Sequence, residues 1–357
     1  MESIKNLKKF WSKKKVFITG HTGFKGTWLC IILKFLNSKV YGYSLYPKNK
    51  SLFNQTKIKS MIDSNTYGDI NDIKRLRKKV QLLKPEIIIH LAAQPLVIES
   101  YKKPLQTFQT NIIGTLNLLE LVRDVKSVKS VVIVTTDKVY KINKKDIPFK
   151  ETDPLGGFDP YSFSKVGTEL IVDCYIKSFF QNSKLNNRIS TARSGNVIGG
   201  GDYSNNRLVP DIINSINKKQ KIMIRNPNHI RPWQHVLEPL MGYLILAKKQ
   251  YEKKIKNKEH AWNFGPTDKN FKRVIDVVRI IKKFQNFDYK ISNKKKIKES
   301  KSLKLNSSKS IKKLLWSPKW DIFKSVENTL KWNNDFKRGN SAKSICERQF
   351  LMYLNGK

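Results

Sequence analysis

The sequence predicts an α/β protein in which a doubly wound parallel sheet is followed by a smaller, mixed C-terminal region. Three observations support this fold class. Apolar runs of strand length alternate with segments of helical periodicity, the runs are almost continuously apolar, and a glycine-rich turn follows the first of them at Gly20–Gly26. Such strands are typical of a parallel sheet that is covered by helices on both faces.

Five strands and four helices are expected in the first part of the chain. The strands are expected at Val16–Thr19, Val40–Leu45, Glu86–Ala93, Ser130–Thr135 and Ile189–Arg193. The helices are expected at about Thr27–Leu36, Ile73–Leu83 and Leu105–Val122, and from Pro160 onward. Asp159 is a typical N-cap and Pro160 a typical first helical residue, and apolar residues recur behind them at helical spacing.

The pattern changes after Gly195. Loops rich in glycine, asparagine and proline follow, and the helix predicted at Val236–Lys249 is expected to return to the sheet. We therefore predict two units, residues 1–194 around the sheet and residues 195–357 mainly as a substrate-binding region. The lysine- and serine-rich segment Ile291–Ser310 is expected to be a mobile surface excursion.

The chain has a formal net charge of +42. One interpretation is a protein that binds nucleic acid or another polyanion. The other is a lysine-rich composition on solvated faces. We favour the second, because the lysines run through the whole chain and the densest stretches, Lys248–Lys258 and Lys294–Lys304, have few aromatic residues for base stacking. The charge should still favour anionic ligands.

The cysteines and histidines do not predict a metal site. Cys30, Cys174 and Cys346 are odd in number and widely spaced, which fits a reduced, cytoplasmic protein in which they serve as small core residues. The five histidines show no zinc-site spacing. No apolar run reaches the roughly 18 residues that a membrane span needs.

The turn Gly20–Gly26 is a candidate dinucleotide site. Its Gly-x-x-Gly-x-x-Gly spacing follows strand one and opens a helix, where the backbone can approach a pyrophosphate and the helix N-terminus attracts its charge. A purely structural turn is the alternative, but the position favours a Rossmann-like dinucleotide-binding fold. The contacts expected here are Gly20, Thr22, Gly23, Phe24 and Gly26.

The remainder of this site is less typical. The second strand ends without the acidic residue that usually binds a ribose, so Ser44 is the candidate replacement. Lys48 and Lys50 leave NADP open, although we favour NAD. Further contacts are expected at the adenine edge and where the third predicted strand ends, from Asp69, Ile70, Leu91, Ala92 and Ala93.

Two segments carry candidate catalytic residues. Tyr161 and Lys165 lie one turn apart on the predicted helix, and its start distinguishes them from three other Tyr-x-x-x-Lys matches. Thr136, Asp137 and Lys138 follow a buried strand and offer a hydroxyl, an acid and an amine. The pair suits hydride transfer from an alcohol, and the second set adds the acid and base that elimination of water needs.

These motifs resemble the extended short-chain dehydrogenase/reductase superfamily and, within it, the CDP-glucose 4,6-dehydratases. The resemblance covers roughly residues 12–340. Lys138 is the most discriminating residue, because related sugar-nucleotide dehydratases usually carry Glu there. The matching segments are Gly20–Gly26, His90–Ser100, Thr135–Lys138, Asp153–Lys165, Gly195–Asp202, Ile224–Pro239 and Trp262–Pro266.

The resemblance implies a redox-neutral dehydration of CDP-glucose that recycles NAD. Tyr161, supported by Lys165 and Thr136, would take the proton of the sugar 4-hydroxyl. Asp137 would protonate the departing 6-hydroxyl, and Lys138 is the candidate base for the C5 proton. A homodimer through Leu105–Val122 and Phe163–Phe179 is also implied, although both helices can equally pack on their own sheet.

The substrate diphosphate needs cations. Arg207, Arg231 and Arg193 are candidates, because arginine suits bidentate phosphate contacts. Gln94 is a further candidate substrate contact, and the resemblance adds Asn196. His235 either bonds the sugar or supports the loop at Trp233.

Two other functions remain open at this point. A sugar-nucleotide epimerase shares the glycine turn and the Tyr161/Lys165 pair but does not need Asp137 and Lys138. A non-catalytic polyanion-binding protein would use the fold and the positive charge, and would need neither the Tyr161/Lys165 pair nor Asp137 and Lys138.

Overall fold

The described residues form thirteen strands. The computed structural model describes residues 4–142, 146–183, 185, 188–255, 260–267, 270–292 and 300–356. The strands are β1 Lys15–Thr19, β2 Lys39–Ser44, β3 Ser64–Tyr67, β4 Ile87–His90, β5 Ser130–Val134, β6 Ile189–Ser194, β7 Val197–Ile198, β8 Ile222–Ile224, β9 Ile230–Pro232, β10 Gln234–His235, β11 Ala261–Phe264, β12 Phe271–Arg273 and β13 Tyr289–Ile291.

Thirteen α-helices lie within the same residues. They are α1 Ile4–Trp11, α2 Phe24–Phe35, α3 Leu52–Thr56, α4 Ile73–Leu83, α5 Val97–Lys102, α6 Pro104–Phe108, α7 Gly114–Asp124, α8 Pro160–Tyr175, α9 Leu208–Lys218, α10 Leu237–Tyr251, α11 Val274–Phe284, α12 Ile322–Lys337 and α13 Ala342–Leu354. A 3₁₀ turn at Asp137–Val139 follows β5, and a π-helical turn at Gln109–Ile113 joins α6 to α7.

A seven-stranded sheet runs through the protein in the order β11-β6-β5-β4-β1-β2-β3. Every pairing in it is parallel. The strand order reverses between β1 and β4, and ligands bind at the carboxyl ends of the strands beside such a switch point. The predicted Rossmann-like, doubly wound parallel sheet is therefore confirmed.

Apolar residues of the central strands β1, β4 and β5 alternate between two cores. Ile87 and Ile89 of β4 join one core, formed mainly with α2, α10 and α13, whereas Ile88 joins the other, formed with α4, α7 and α8. Because helices cover both faces, the strands are apolar on both sides, which is the continuous pattern that the sequence shows.

The C-terminal half contributes to the sheet as well as to its own core. β11 pairs with β6, so that Trp262 lies opposite Ala192. Helix α10 packs in the first core, as expected from its apolar pattern. A third core joins α9, α11 and α12 beside the carboxyl edge of the sheet. The division at residue 194 remains a prediction.

Four details differ from the sequence predictions. The helix expected at Leu105–Val122 is interrupted by the π-helical turn, and the polar edge strand β3 was not predicted. Cys174 is exposed, whereas Cys30 and Cys346 are buried, and all three are free. Residues 293–299 of the expected excursion Ile291–Ser310 lie outside the described residues, and its described part is packed, since Leu303 and Leu305 are buried.

None of the helices in the described part of the chain is long and apolar enough to cross a membrane.

Candidate active site

A cavity of about 820 Å³ lies at the carboxyl edge of the sheet. Residues that directly follow six of the seven strands of the sheet line it, namely Gly20, Leu45, Gly68, Leu91, Thr135 and Gly195. The opposite wall comes from the C-terminal region, from the segments around α9 and β9. The first and second halves of the chain therefore share one site.

The glycine turn lines the cavity and leads into helix α2. Gly20 has a φ of +75°, and a Cβ there would lie 2.7 Å from the backbone nitrogen of Ala92, so a side chain does not fit. Gly23 is the N-cap of α2 and provides no side-chain hydrogen bond to the helix. The first N–H groups of α2 are therefore available to an anion in the cavity.

The residues predicted for the adenosine half of a dinucleotide lie together. The Thr22 hydroxyl is 2.8 Å from the Ser44 hydroxyl and donates to the carbonyl of Leu45 at 3.1 Å. Tyr43 donates to the carbonyl of Asp69 at 2.9 Å. The other predicted contacts, Phe24, Gly26, Ile70, Leu91, Ala92 and Ala93, also line the cavity.

Tyr161 and Lys165 project from the first turns of α8. The helix starts as predicted, since the Asp159 carboxylate accepts a hydrogen bond from Ser162 N at 2.9 Å. Lys165 donates to the carbonyl of Val134 at 3.1 Å, and burial lowers its pKa to about 8. Burial raises the pKa of Tyr161 to about 12, and a hydrogen bond with Thr136 opposes this shift.

Thr136, Asp137 and Lys138 occupy the 3₁₀ turn beyond β5 and face the same cavity. The Thr136 hydroxyl donates to Asp137 Oδ1 at 3.0 Å. Asp137 is 2% exposed, and its Oδ2 has no hydrogen-bond partner among the described residues. Burial raises the pKa of Asp137, although Lys138 lies close enough to oppose the rise. The site thus combines a buried acid with a neighbouring amine.

Basic side chains outnumber acidic ones around the cavity. Arg207 is paired with Asp202 at 3.3 Å, and Arg231 donates to the carbonyl of Ile230 at 2.8 Å. Asn196 also lines the wall, beside these arginines. The basic residues are Lys25, Lys48, Lys50, Lys138, Lys165, Arg207, Arg225 and Arg231, and the acidic ones are Asp69, Asp137, Asp202 and Asp211. This excess of positive charge suits a diphosphate.

Two residues expected to contact the substrate do not line the cavity. The Gln94 side chain donates to Thr107 at 3.0 Å and accepts from Leu96 N at 2.7 Å, so it fixes its own loop. His235 is fully buried between the rings of Trp28 and Trp320. Of the two roles considered for His235, its position corresponds to support of the loop.

Arg193 is not available to a diphosphate either. It is 3% exposed and bonds both oxygens of Glu169 at 2.9 Å. A spacing argument could not detect this, because Glu169 is distant in sequence and meets Arg193 only when α8 packs on β6.

The sequence analysis missed a buried group of polar side chains beside the catalytic residues. Lys25 Nζ donates to the Ser194 hydroxyl at 2.8 Å and to the Tyr243 hydroxyl at 3.3 Å. Burial, together with the nearby cations Arg207 and Lys165, lowers the pKa of Lys25 to about 7. The available signal was a lysine that is the one formally charged residue of the turn Gly20–Gly26.

Comparison with known proteins places the whole chain among sugar-nucleotide enzymes. A model of the family described as GDP-mannose 4,6 dehydratase matches residues 17–329. The chain is 40% identical over 354 residues to a CDP-glucose 4,6-dehydratase of Salmonella typhimurium, with 98% of each chain covered. It is 30% identical over 250 residues to a dTDP-D-glucose 4,6-dehydratase of Dictyostelium discoideum, which covers 66% of this chain and 56% of that protein.

Solved structures share the fold. A UDP-glucose 4-epimerase of Thermotoga maritima aligns with a TM-score of 0.77 at 21% identity, over 90% of this chain and 99% of that one. A dTDP-glucose 4,6-dehydratase of Bacillus anthracis in complex with NAD aligns with a TM-score of 0.76 at 21% identity, over 91% and 98% of the two chains.

Proposed function

This chain belongs to the GDP-mannose 4,6 dehydratase family, and from that premise we propose that it dehydrates CDP-glucose to CDP-4-keto-6-deoxyglucose. It is a hydro-lyase that uses tightly bound NAD, which is reduced and reoxidised within one turnover. The Salmonella typhimurium relative supports the nucleotide and the sugar, because the match extends over nearly all of both proteins.

The cavity fits a dinucleotide. The uncapped N-terminus of α2 and the glycine turn would hold the pyrophosphate, while Ser44 and the segment at Asp69 and Ile70 would hold the adenosine half. Beyond the end of β4, the cofactor would pass close to the backbone of Leu91, Ala92 and Ala93. When bound, NAD would accept a hydride from sugar C4 and return it to C6.

The protein's part in the oxidation is to remove one proton. Tyr161, as phenolate, would take the proton of the 4-hydroxyl, and Thr136 would bind the same oxygen. Burial raises the pKa of Tyr161 to about 12, so the anion needs positive charge nearby. Lys165 and an oxidised nicotinamide ring supply such charge.

Elimination uses the second set of residues. The 4-ketone acidifies the proton on C5, which Lys138 would remove, and Asp137 would protonate the 6-hydroxyl so that it leaves as water. Burial raises the pKa of Asp137, which favours the protonated form that a general acid requires. With the hydride that bound NAD would return to C6 and a proton restored to C5, the net change would be the loss of one water.

The placement of Asp137 and Lys138 beside Tyr161 is the observation that carries the proposal. An epimerase needs only the oxidation machinery, so the buried acid and its neighbouring amine favour a dehydratase. The substrate diphosphate would be bound by Arg207 and Arg231, with Asn196 as a further contact. The positive charge of the cavity is accounted for in this way.

The direct test is to incubate the purified protein and NAD with CDP-glucose and to follow product mass. We expect the loss of one water without net formation of NADH. UDP-, GDP- and dTDP-glucose serve as nucleotide controls, and NADP as the cofactor control. No mass change with any of the four sugars would overturn the proposal in favour of an epimerase or a non-catalytic polyanion binder.

The proposal includes a homodimer through α6–α7 and α8. These helices expose apolar side chains, with Leu105 70%, Phe163 57% and Leu170 56% accessible. The double variant Phe163→Glu and Leu170→Lys should shift the sedimentation coefficient to that of a monomer. Leu315→Lys, which alters an equally exposed residue outside these helices, should not. A wild-type monomer would exclude the dimer.

The proposal also covers the division of the chain into two units and its location in the cell. Residues 1–194 would bind NAD and residues 195–357 mainly the substrate, with a return of the chain to the sheet at β11. A cytoplasmic location is supported by the three free cysteines.

A further inference from the structure

The residue that follows the catalytic turn is a buried tyrosine with a defined set of partners. The Tyr140 hydroxyl donates to Asn263 Oδ1 at 2.6 Å and accepts from Arg193 Nη1 at 2.9 Å. Its ring is stacked on Phe149 with the centroids 4.8 Å apart. Burial raises the pKa of Tyr140 well above its ordinary value, so the hydroxyl remains neutral and able to donate.

Arg193 connects Tyr140 to helix α8. Its guanidinium bonds both oxygens of Glu169, and the hydroxyls of Thr135 and Thr191 donate to the same carboxylate. Burial alone would raise the pKa of Glu169, but Arg193 and the two hydroxyls hold it below its usual value. The ion pair is therefore a fixed joint between α8, β5 and β6, with its hydrogen-bonding capacity largely satisfied.

The catalytic turn is held by this joint at both ends. Thr135 precedes the turn and bonds Glu169, and Tyr140 follows it and bonds Arg193. Asp137 and Lys138 lie between these two anchors. Asn263, on β11, adds a third attachment, because its side chain also donates to the carbonyl of Phe149 at 3.0 Å.

The oxidation pair on α8 and the elimination pair on the turn depend on this joint to different degrees. Lys165 lies one turn before Glu169 on α8, and α8 keeps its position through its own N-cap and core contacts. The turn that carries Asp137 and Lys138 has three residues, and its exit is fixed by Tyr140. Displacements of about 1 Å at a catalytic group can reduce a rate about 100-fold.

We propose that Tyr140 is a positioning residue for the elimination half of the reaction. Its hydroxyl, bound by Arg193 and Asn263, sets the position of Asp137 and Lys138 against a sugar that Tyr161 and Lys165 oxidise. Removing this hydroxyl should slow the loss of water more than it slows hydride transfer. The inference rests on the proposed dehydratase function and goes beyond it, since Tyr140 does not touch the cavity.

The test compares Tyr140→Phe with a matched control, Tyr251→Phe. Tyr251 also donates a 2.6 Å hydrogen bond to a partly buried acceptor, Glu86. This pair lies at the amino ends of the strands, because Glu86 directly precedes β4, whereas the cavity lies at their carboxyl ends. Single-turnover absorbance at 340 nm follows NADH, and quenched samples give the product that has lost water. For Tyr140→Phe we expect oxidation within about twofold of wild type, elimination slowed 10- to 100-fold, and transient NADH.

Three results would overturn the inference: equal slowing of both steps, no slowing of either, or the same change in the control. Asn263→Ala is the second variant, in case Tyr140→Phe does not fold, because it removes the acceptor of the Tyr140 hydroxyl and keeps the tyrosine. It should change the ratio of the two rates in the same direction. A wild-type protein that releases no water would instead contradict the proposed function, so the two failures are distinguishable.

Discussion

Lys165 donates a hydrogen bond to the carbonyl oxygen of Val134, 3.1 Å away, and thereby joins helix α8 to the end of strand β5. The same strand continues into Thr136, whose hydroxyl bonds the Tyr161 phenol. Burial lowers the pKa of Lys165 to about 8, because removal from water disfavours the charged ammonium form. The proposed base Tyr161, its proposed supporting amine Lys165 and the turn that begins at Thr136 are therefore parts of one packed junction.

Replacing Tyr161 by Phe should abolish the first step. Without the phenol no group accepts the proton of the 4-hydroxyl, so we expect kcat to fall by roughly 10²- to 10⁴-fold. Stopped-flow absorbance at 340 nm should show no NADH transient in this variant. Tyr251→Phe is the control for loss of a tyrosine hydroxyl. A Tyr161→Phe variant with wild-type NADH kinetics would assign the base elsewhere.

Asp137→Asn should separate the two steps. The amide keeps the size of the side chain and an acceptor oxygen for the Thr136 hydroxyl, but it cannot protonate a leaving hydroxyl. We expect NADH to form at a rate near that of wild type and the product to appear about 10²-fold more slowly. Rapid-quench mass measurement gives the product rate. If the rate of water loss is unchanged, another group protonates the leaving oxygen.

Lys138→Met tests the assignment of the C5 base. Methionine retains most of the length of the side chain but has no amine, so elimination should slow while oxidation proceeds. Solvent deuterium entering C5 provides the readout, since removal of the proton permits exchange. Lys141→Met, three residues further on and exposed, is the matched control. If Lys138→Met eliminates water as fast as wild type, its assignment as base is wrong.

The buried carboxyl group of Glu238 should make the free energy of unfolding depend on pH. Its carboxylate accepts from Trp320 N at 2.7 Å and from the Tyr353 hydroxyl at 2.6 Å, and burial raises its pKa from 4.5 to about 7. Between these values the folded protein binds a proton that the unfolded chain lacks, so this contribution to stability falls as the pH rises. Glu238→Gln remains neutral and should lose this dependence.

The expected difference is largest at alkaline pH. Relative to wild type, Glu238→Gln should gain about 1–3 kcal/mol in free energy of unfolding between pH 5 and pH 8. Denaturant unfolding at pH 5, 6, 7 and 8 measures it, with Glu327→Gln, a partly exposed residue of α12, as the control. A difference that is constant with pH would show that Glu238 does not titrate in this range.

Much of the fold followed from local pattern, and particular misses have physical reasons. The strands β1, β2, β4 and β5 carry apolar residues on both faces, so composition alone identified them, whereas β6 was predicted although four of its six residues are polar. β3 is polar because it lies at the sheet edge, and β11 is a short segment within a loop-rich region, so neither shows the same signal. The helix start at Asp159 was predictable because a cap is a local interaction.

The sequence by itself determined which residues are the candidates for the chemistry: the glycine turn, Tyr161 with Lys165, and the turn from Thr136 to Lys138. These are defined by residue type at short spacing, which a chain displays without folding. Only the tertiary structure decided that Arg193 pairs with Glu169, that His235 is packed between two tryptophans, and that the Tyr140 hydroxyl bonds Arg193 just beyond the turn. Those outcomes depend on which distant side chains become neighbours when the helices cover the sheet, and burial then decides whether a charge meets a ligand or another residue.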